Sequence, residues 1–304
     1  MNIFIFLILG LIAGACFPVQ ATINSRLGSY TKNPLTASLI AFSVGSIVLF
    51  LLVILFNFKS FFNIDTSVSP LVFLGGPIAG VIYNVANIIL FSKIGAMITT
   101  MVTITGQMVT GMLIDHFGLL GMPVSAITGS RLLGIGMMLI AIFLFQKSKN
   151  QSNLEEVISK KWLFLGVLAG AFPPLQAAFN GQLRVATHSV LLSTFLSFFI
   201  GAIILVLLLL IIEKKITIPK IDSEGNNLPW WFYIGGLFGI IIVGGNILVI
   251  HTLGSILTTI IFILGQLVMA TLIDHLGIFG LKKRSVMPMQ YMSILMIVIA
   301  LFLV

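Results

Sequence analysis

The sequence predicts an all-α integral membrane protein with ten transmembrane helices, arranged as two inverted five-helix repeats. Three observations lead there: the composition, ten long apolar runs and an internal repeat. Of the 304 residues, 59% are hydrophobic and only 8% are charged, and the mean hydropathy is +1.18. A soluble domain carries about 25% charged residues. Because so apolar a chain could not cover its surface in water, we expect it in the lipid bilayer of the cell (cytoplasmic) membrane.

Ten apolar runs are separated by polar stretches or by stretches that contain Pro and Gly. About twenty apolar residues are enough for a helix to cross a bilayer. The predicted spans are residues 3–25, 35–56, 71–91, 95–114, 127–146, 161–183, 190–212, 230–250, 255–273 and 287–304. No stretch between them is long enough to hold a soluble domain.

The second half of the chain repeats the first. "GQMVTGMLIDHFGLLG" at 106–121 and "GQLVMATLIDHLGIFG" at 265–280 match without a gap at nine of sixteen positions. "AGACFPVQATINSRL" at 13–27 aligns with "AGAFPPLQAAFNGQL" at 169–183, at an offset of 156 residues. Self-similarity of this kind indicates a duplicated unit. We predict a first repeat over 1–147, a cytoplasmic linker over 148–159 and a second repeat over 160–304.

The loop charges predict how the two repeats are oriented. Because five is an odd number, a short linker places the second repeat upside down in the membrane. Thirteen of the sixteen Lys and Arg residues follow odd-numbered spans, and only Lys59, Arg131 and Arg184 lie on the opposite face. Cytoplasmic loops are the ones enriched in Lys and Arg. We therefore expect both termini outside the cytoplasm.

This architecture is typical of secondary transporters, because two inverted units can rock about a central site and open it to each face in turn. We expect a transporter of a small organic metabolite or drug, acting as a monomer or homodimer without a cofactor. The alternative is a non-transporting membrane partner or assembly subunit. A membrane enzyme is disfavoured, because HExxH, nucleophile-elbow and Walker motifs are all missing from the sequence. Nucleic acid is not expected as a partner, because the basic residues form no single patch.

Several motifs resemble a known family. "PVQATINSRLG", "GQMVTGMLIDHFGLLG" and "SRLLGIGMMLIAIFLF", with their second-half partners, resemble the YdcZ family of the drug/metabolite transporter superfamily. The resemblance covers essentially the whole chain and is most specific at Gln-x-x-x-Asn and GQ…LIDH. It implies a bundle of ten helices, the fused form of a five-helix unit, and transport of small organic solutes. Larger ten-helix relatives are usually drawn with cytoplasmic termini, the reverse of what the charges predict.

Amide side chains are the first candidates for a solute site. Gln20 and Asn24 are four residues apart and share a helix face, and Gln176 and Asn180 repeat the pair. Such amides either line a central cavity and bind a polar solute, or bond neighbouring helices together. A proline precedes each pair and favours a cavity, because it frees backbone carbonyls.

Four further candidates lie in the middle of spans: Tyr83, Asn84, Asn87 and Asn246. Asn87 and Asn246 are repeat equivalents, and for them packing is favoured over contact with solute. Asn84, beside Tyr83, has only Gly244 near its equivalent position. We therefore expect the first half to contribute more of the site.

The repeated motif supplies candidates for packing or gating: Gln107, Asp115, His116, Arg131, Gln266, Asp274 and His275. Packing is favoured for the two glutamines. The two Asp-His pairs end spans on opposite faces, so each is a structural closure or one of two paired gates; proton transfer is the third alternative. An aspartate at a helix C-terminus is opposed by the macrodipole and needs a cation. Arg131 is the predicted cation for the first copy, and residues 282–284 for the second.

Acidic residues are missing from the predicted spans, since all eight Asp and Glu lie in loops or at helix ends. Proton-coupled exporters of cations commonly hold a carboxylate at membrane depth. The sequence therefore favours a neutral or zwitterionic solute, or a carrier that is not coupled to protons.

Overall fold

The computed structural model describes residues 3–122, 124, 128–150, 159–214, 228–280, 283 and 288–303. Its helices are α1 (Ile3–Thr31), α2 (Pro34–Asn57), α3 (Pro70–Ile94), α4 (Ala96–Phe117), α5 (Gly129–Asn150), α6 (Lys160–Ala169), α7 (Phe172–Thr187), α8 (Val190–Ile212), α9 (Gly235–Leu276) and α10 (Pro288–Leu303). Within these ranges the chain forms no strand, and it is an all-α membrane protein as predicted. Most of the predicted linker, residues 151–158, falls outside them.

Every predicted span is mostly helical over its described residues. Seven helices there are long and apolar enough to cross a membrane. Three shorter apolar helices, Leu132–Ala141, Ile261–Leu276 and Tyr291–Ala300, correspond to the remaining predicted spans. The number of ten crossings stays a prediction.

Helix α9 contains the eighth and ninth predicted spans in one helical stretch of 42 residues. Its two legs nevertheless double back on each other. A Cβ on Gly10 of α1 would lie 3.5 Å from Val249 and 2.5 Å from Ile261, although a straight helix would separate those two residues by about 18 Å. The boundary predicted near 251–254 is therefore a reversal of direction between the two legs.

The sixth predicted span is broken, whereas the first is not. α6 ends at Ala169 and α7 begins at Phe172, while α1 runs unbroken through Pro18. The second repeat has two successive prolines, Pro173 and Pro174. Neither has the N–H that a carbonyl four residues earlier would need, so two consecutive helical hydrogen bonds are lost. This break is a clear asymmetry between two otherwise similar copies.

The first helix of each half packs on the opposite half. α1 lies against α9, and α6 and α7 lie against α3 and α4. Glycine permits the closest approaches: a Cβ on Gly106 would overlap the carbonyl oxygen of Val167, and one on Gly265 would overlap that of Leu11. Gly265 is the repeat equivalent of Gly106, and Leu11 is that of Val167. The two halves therefore interlock through matching backbone contacts.

Helices α2 and α8 face each other in opposite directions. Asn33, at the start of α2, donates to Glu213 at the end of α8 over 3.0 Å. Asn57, at the end of α2, donates to Ser189 at the start of α8 over 2.5 Å. With the repeat offset of 156 residues, position 33 is equivalent to 189 and position 57 to 213. The two pairs are therefore the same contact with the halves exchanged.

Contacts between helix ends fall on two faces. The Asn33–Glu213 pair and a contact from Asp274 to Ala96 join segments that follow odd-numbered predicted spans. Gln182 donates to the carbonyl of Leu120 over 2.8 Å and joins segments that follow even-numbered spans. The inverted arrangement of the repeats and the cytoplasmic side of the molecule stay predictions.

Candidate functional site

Both Gln-x-x-x-Asn pairs lie against glycines of the opposite half. Gln20 and Asn24 pack on Gly239 and Gly235, and Gln176 and Asn180 pack on Gly80 and Gly76. The two asparagines are 1% and 2% exposed, whereas the two glutamines are half-buried. The asparagines therefore fill the space between helices, and the glutamines keep a partly open side.

The two asparagines carry unsatisfied polar atoms. Both Nδ2 and Oδ1 of Asn24, and Oδ1 of Asn180, find no hydrogen-bond partner in the described part of the chain. A buried polar group without a partner costs roughly 1–3 kcal/mol. The sequence left open whether these amides bond neighbouring helices. At the asparagines, the structure shows close packing on glycine and none of those bonds.

Helix α3 runs antiparallel to the broken sixth span in a regular register. Gly80 meets Gln176 at one point along the contact, and Leu90 lies beside Gly166 at another. Interpolating between these two contacts places the break between α6 and α7 opposite the middle turn of α3. The break therefore lies at the depth of the helix midpoints.

That middle turn of α3 carries polar side chains. Tyr83 lies close to Asn87, one turn along, and to Thr103 of α4. The backbone of Thr103 lies against Gly170, at the break, where a Cβ would overlap it. Gln107 follows Thr103 by one turn on the same face of α4. We call Tyr83, Asn87, Thr103 and Gln107 the polar cluster.

The polar cluster is buried and incompletely bonded. Tyr83, Asn87, Thr103 and Gln107 are 7%, 6%, 1% and 9% exposed. Oδ1 of Asn87 and Nε2 of Gln107 have no hydrogen-bond partner among the described residues. One acceptor and one donor thus remain unused beside the break, where two backbone carbonyls have lost their helical N–H partners to prolines.

The second half keeps only the amides of the polar cluster. Ile242 and Phe262 stand where the first half has its tyrosine and threonine, while Asn246 and Gln266 are retained. Gln266 is 3% exposed, and Asn246 is half-buried. The first half therefore carries more polar groups, and a larger contribution of that half to the site stays a prediction.

Two residues show the limits of the sequence reasoning about this region. Asn84 accepts a hydrogen bond from Ser38 of α2 over 3.0 Å, so it is tied to a neighbouring helix. Thr103 was not among the predicted site residues. Its spacing of four from Gln107 was the available signal, because that spacing places both residues on one helix face.

Asp274, in the second copy of the LIDH motif, holds a helix of the first half. Its carboxylate accepts hydrogen bonds from the backbone N–H of Met97 over 2.9 Å and of Ala96 over 3.3 Å. These are the first residues of α4, and Asp274 is 4% exposed. A carboxylate at a helix N-terminus is stabilised by the free N–H groups and by the macrodipole. The sequence suggested a cation here; the structure gives Asp274 a helix N-terminus from the opposite half, and two of the three predicted basic residues lie outside the described ranges.

A family model described as "Putative inner membrane exporter, YdcZ" matches residues 5–144 and again residues 161–303. The chain belongs to the YdcZ family. It is therefore a multi-pass membrane protein of an exporter family, a family of transporters rather than enzymes, and each half matches the family by itself. No curated protein matches the chain. A solved structure described only as "Crystal structure of protein" aligns with a TM-score of 0.63 over 98% of this chain and 94% of its own, at 11% identity. That likeness shows a shared fold alone.

In this YdcZ-family chain, glycines end both copies of the motif. Gly118 and Gly277 adopt left-handed conformations, with φ of 58° and 65°, and donate back to the carbonyls of Ile114 and Ile273. Left-handed backbone after a helix is the conformation that favours glycine. These motif glycines thus have a structural explanation.

The remaining motif residues are less uniform. His116 is half-buried with its ring edge-on to Phe117 at 4.8 Å, and its Nδ1 has no partner in the described region. His275 is exposed and Asp115 is half-buried. The side chain of Arg131 lies outside the described residues, so its predicted pairing with Asp115 stays a prediction.

Proposed function

We propose that this chain is a secondary transporter that carries a small organic solute across the cytoplasmic membrane by alternating access between two inverted repeats, residues 1–147 and 160–304. Membership of an exporter family supports the transporter role. The matched pairs between α2 and α8 support the inversion, because exchanging the halves reproduces them. Inverted units of this kind have two related states, each open to one face.

The observation that carries the proposal is the break in the sixth span opposite the polar cluster. Transporters commonly bind solute near the midplane, between repeats, where a discontinuous helix exposes backbone groups. Here the break lies beside Tyr83 and Thr103, at the midpoint of α3 and α4. Half-buried Gln176 packs on Gly80, one turn from Tyr83. We therefore place the solute at the polar cluster, with Gln176 at its edge.

Contacts at both ends of the bundle fit a state closed to both faces. Asp274 on α4 and the Asn33–Glu213 pair tie the halves together at one end, and the Asn57–Ser189 pair ties them at the other. Opening towards either face would require one set of contacts to separate. On this account the Asp274 contact acts as a gate as well as a helix cap.

Thermal unfolding of the purified protein with a panel of metabolites and drugs tests the proposal. A ligand at a hundred times its Kd stabilises the folded state by roughly 2.7 kcal/mol. We expect a stabilising compound whose effect falls in the Gln20→Ala/Gln176→Ala variant and which exchanges across proteoliposomes that contain the protein. Compounds that bind without exchange, or no binding together with a stable complex in native membranes, would favour the assembly-partner alternative.

A further inference from the structure

We infer, resting on the proposed transport function, that the solute is an uncharged molecule with an apolar body. Its polar end presents a hydrogen-bond donor and acceptor to the polar cluster of the first half. The second half keeps the two amides, Asn246 and Gln266, but has Ile242 and Phe262 in place of the tyrosine and threonine. On this account recognition is one-sided.

The unused groups of the polar cluster define the polar end of the solute. Within the described part of the chain, Oδ1 of Asn87 is an acceptor and Nε2 of Gln107 a donor without a partner. Rotating either side-chain amide by about 180° exchanges the positions of its oxygen and its NH2 group. One polar atom of that amide is still left without a hydrogen-bond partner. Unsatisfied groups at membrane depth are costly, since lipid offers no partner. A solute with an adjacent acceptor and donor, such as a carboxamide, lactam or urea, satisfies both.

The polar cluster itself offers no ionic partner to a charged solute. The cluster contains a phenol, a hydroxyl and two amides. All eight Asp and Glu lie outside the predicted spans, and the carboxylate of Asp274 is bound to the start of α4. An ion moved from water to this site would lose its hydration without gaining an opposite charge. A neutral solute avoids that penalty.

An apolar surface borders the polar cluster on the side of α1. The ring of Phe17 meets Tyr83 edge-on at 6.1 Å and also packs against the apolar cluster that contains Val249 and Phe262. Phe262 is the repeat equivalent of Thr103. A solute bound at the polar cluster therefore meets hydrogen-bonding groups on one side and aromatic and aliphatic carbon on the other.

Matched triads of amide, carboxylate and amine test the charge of the solute. We would measure thermal stabilisation of the purified protein by benzamide, benzoate and benzylamine, and by indole-3-acetamide, indole-3-acetate and tryptamine. The members of a triad share one body and differ in charge. We expect the amide of each triad to bind at least about tenfold more tightly than either ion, the effect of roughly one satisfied hydrogen bond. An ion that binds as tightly as its amide would overturn the neutral class.

Repeat-matched variants test the one-sidedness. Asn87→Leu and Gln107→Met should each weaken amide binding by about tenfold, and Tyr83→Phe should weaken it without altering packing. The matched comparisons are Asn246→Leu and Gln266→Met, for which we expect less than about a threefold change. Equal losses from both sets would overturn the one-sided site.

The experiments distinguish an error in this inference from an error in the proposed transport function. If no triad compound binds but the broader metabolite and drug panel yields an exchanging ligand, the inference is wrong and transport stands. If neither set yields a ligand, both are contradicted.

Discussion

Phe42 and Phe198 occupy equivalent positions in the two repeats, and their rings contact each other with centroids 5.2 Å apart. Each ring also covers a glycine of the facing helix, since a Cβ on Gly45 would meet Phe198 and one on Gly201 would meet Phe42. Residues contact their own repeat equivalents only near the axis that relates the halves. The axis therefore passes between α2 and α8 at these two rings.

The Phe42–Phe198 contact predicts symmetric energetic coupling. Phe42→Leu and Phe198→Leu should lower thermal stability by similar amounts, because each ring contacts the other and covers the equivalent glycine of the facing helix. A double-mutant cycle should show coupling of about 0.5–1.5 kcal/mol, the range measured for aromatic pairs. Phe56→Leu, at a side chain 75% exposed, is the control. Strictly additive effects, or a large loss from one variant alone, would argue against the axis at this position.

The interlocked glycines predict a sharp size limit. Gly106→Ala and Gly265→Ala should each destabilise the protein by about 1–3 kcal/mol, because the new Cβ overlaps a backbone carbonyl of the opposite half. Gly111→Ala, on the same helix as Gly106 but with open space around it, should be neutral or slightly stabilising. Thermal unfolding in detergent measures all three. If Gly106→Ala and Gly111→Ala behave alike, the halves do not approach as closely as described.

The Asp274 contact predicts a graded loss of stability. Asp274→Asn removes the charge but keeps an acceptor for the α4 N–H groups, and Asp274→Ala removes both. We expect Asp274→Asn to be less stable than the native protein and Asp274→Ala to be less stable still. The total loss in free energy of unfolding should be about 0.5–2 kcal/mol. His275→Ala, at the exposed neighbour, should change little. An unchanged midpoint in Asp274→Ala would show that α4 does not depend on this carboxylate.

Replacing the buried asparagines should not lower the stability of the protein, unlike the substitutions above. Asn24→Leu and Asn180→Leu remove unsatisfied polar atoms while roughly keeping side-chain volume, so stability should be retained or increased. Asn33→Leu is the contrasting control, because Asn33 caps α2 through Leu35 and donates to Glu213. A loss in Asn24→Leu as large as in Asn33→Leu would mean that Asn24 makes hydrogen bonds that the described structure lacks.

The sequence predicted the helical content and the repeat because both depend on local pattern. Runs of apolar residues mark helices in lipid regardless of their neighbours. It predicted separate spans over 230–250 and 255–273, but not that the residues between them are helical as well, because hydropathy reports only where polarity changes. Pro173 and Pro174 were a sequence signal for the break after Ala169. A proline alone is not sufficient for a break, because α1 runs unbroken through Pro18.

The sequence could not predict which residues of the two halves contact each other. Nearby basic residues in the sequence predict a cation for Asp274, and that pairing stays a prediction. The start of α4, which its carboxylate binds, lies about 180 residues away in the chain. Asn24 and Asn180 were recognised as a repeated pair, but their glycine neighbours are set by helix packing. The polar cluster likewise depends on how α3, α4 and the broken span meet.

The most direct test is whether the polar cluster is reached from each face of the membrane. The native chain has one cysteine, Cys16, so Thr103→Cys in a Cys16→Ser background provides a single thiol at the cluster. A membrane-impermeant methanethiosulfonate reagent would be added to intact cells and to inside-out membrane vesicles. Leu183→Cys, at a side chain 0% exposed, serves as the buried control. Alternating access predicts labelling at residue 103 from both faces and little at residue 183. Labelling of residue 103 from one face alone, or from neither, would contradict the account.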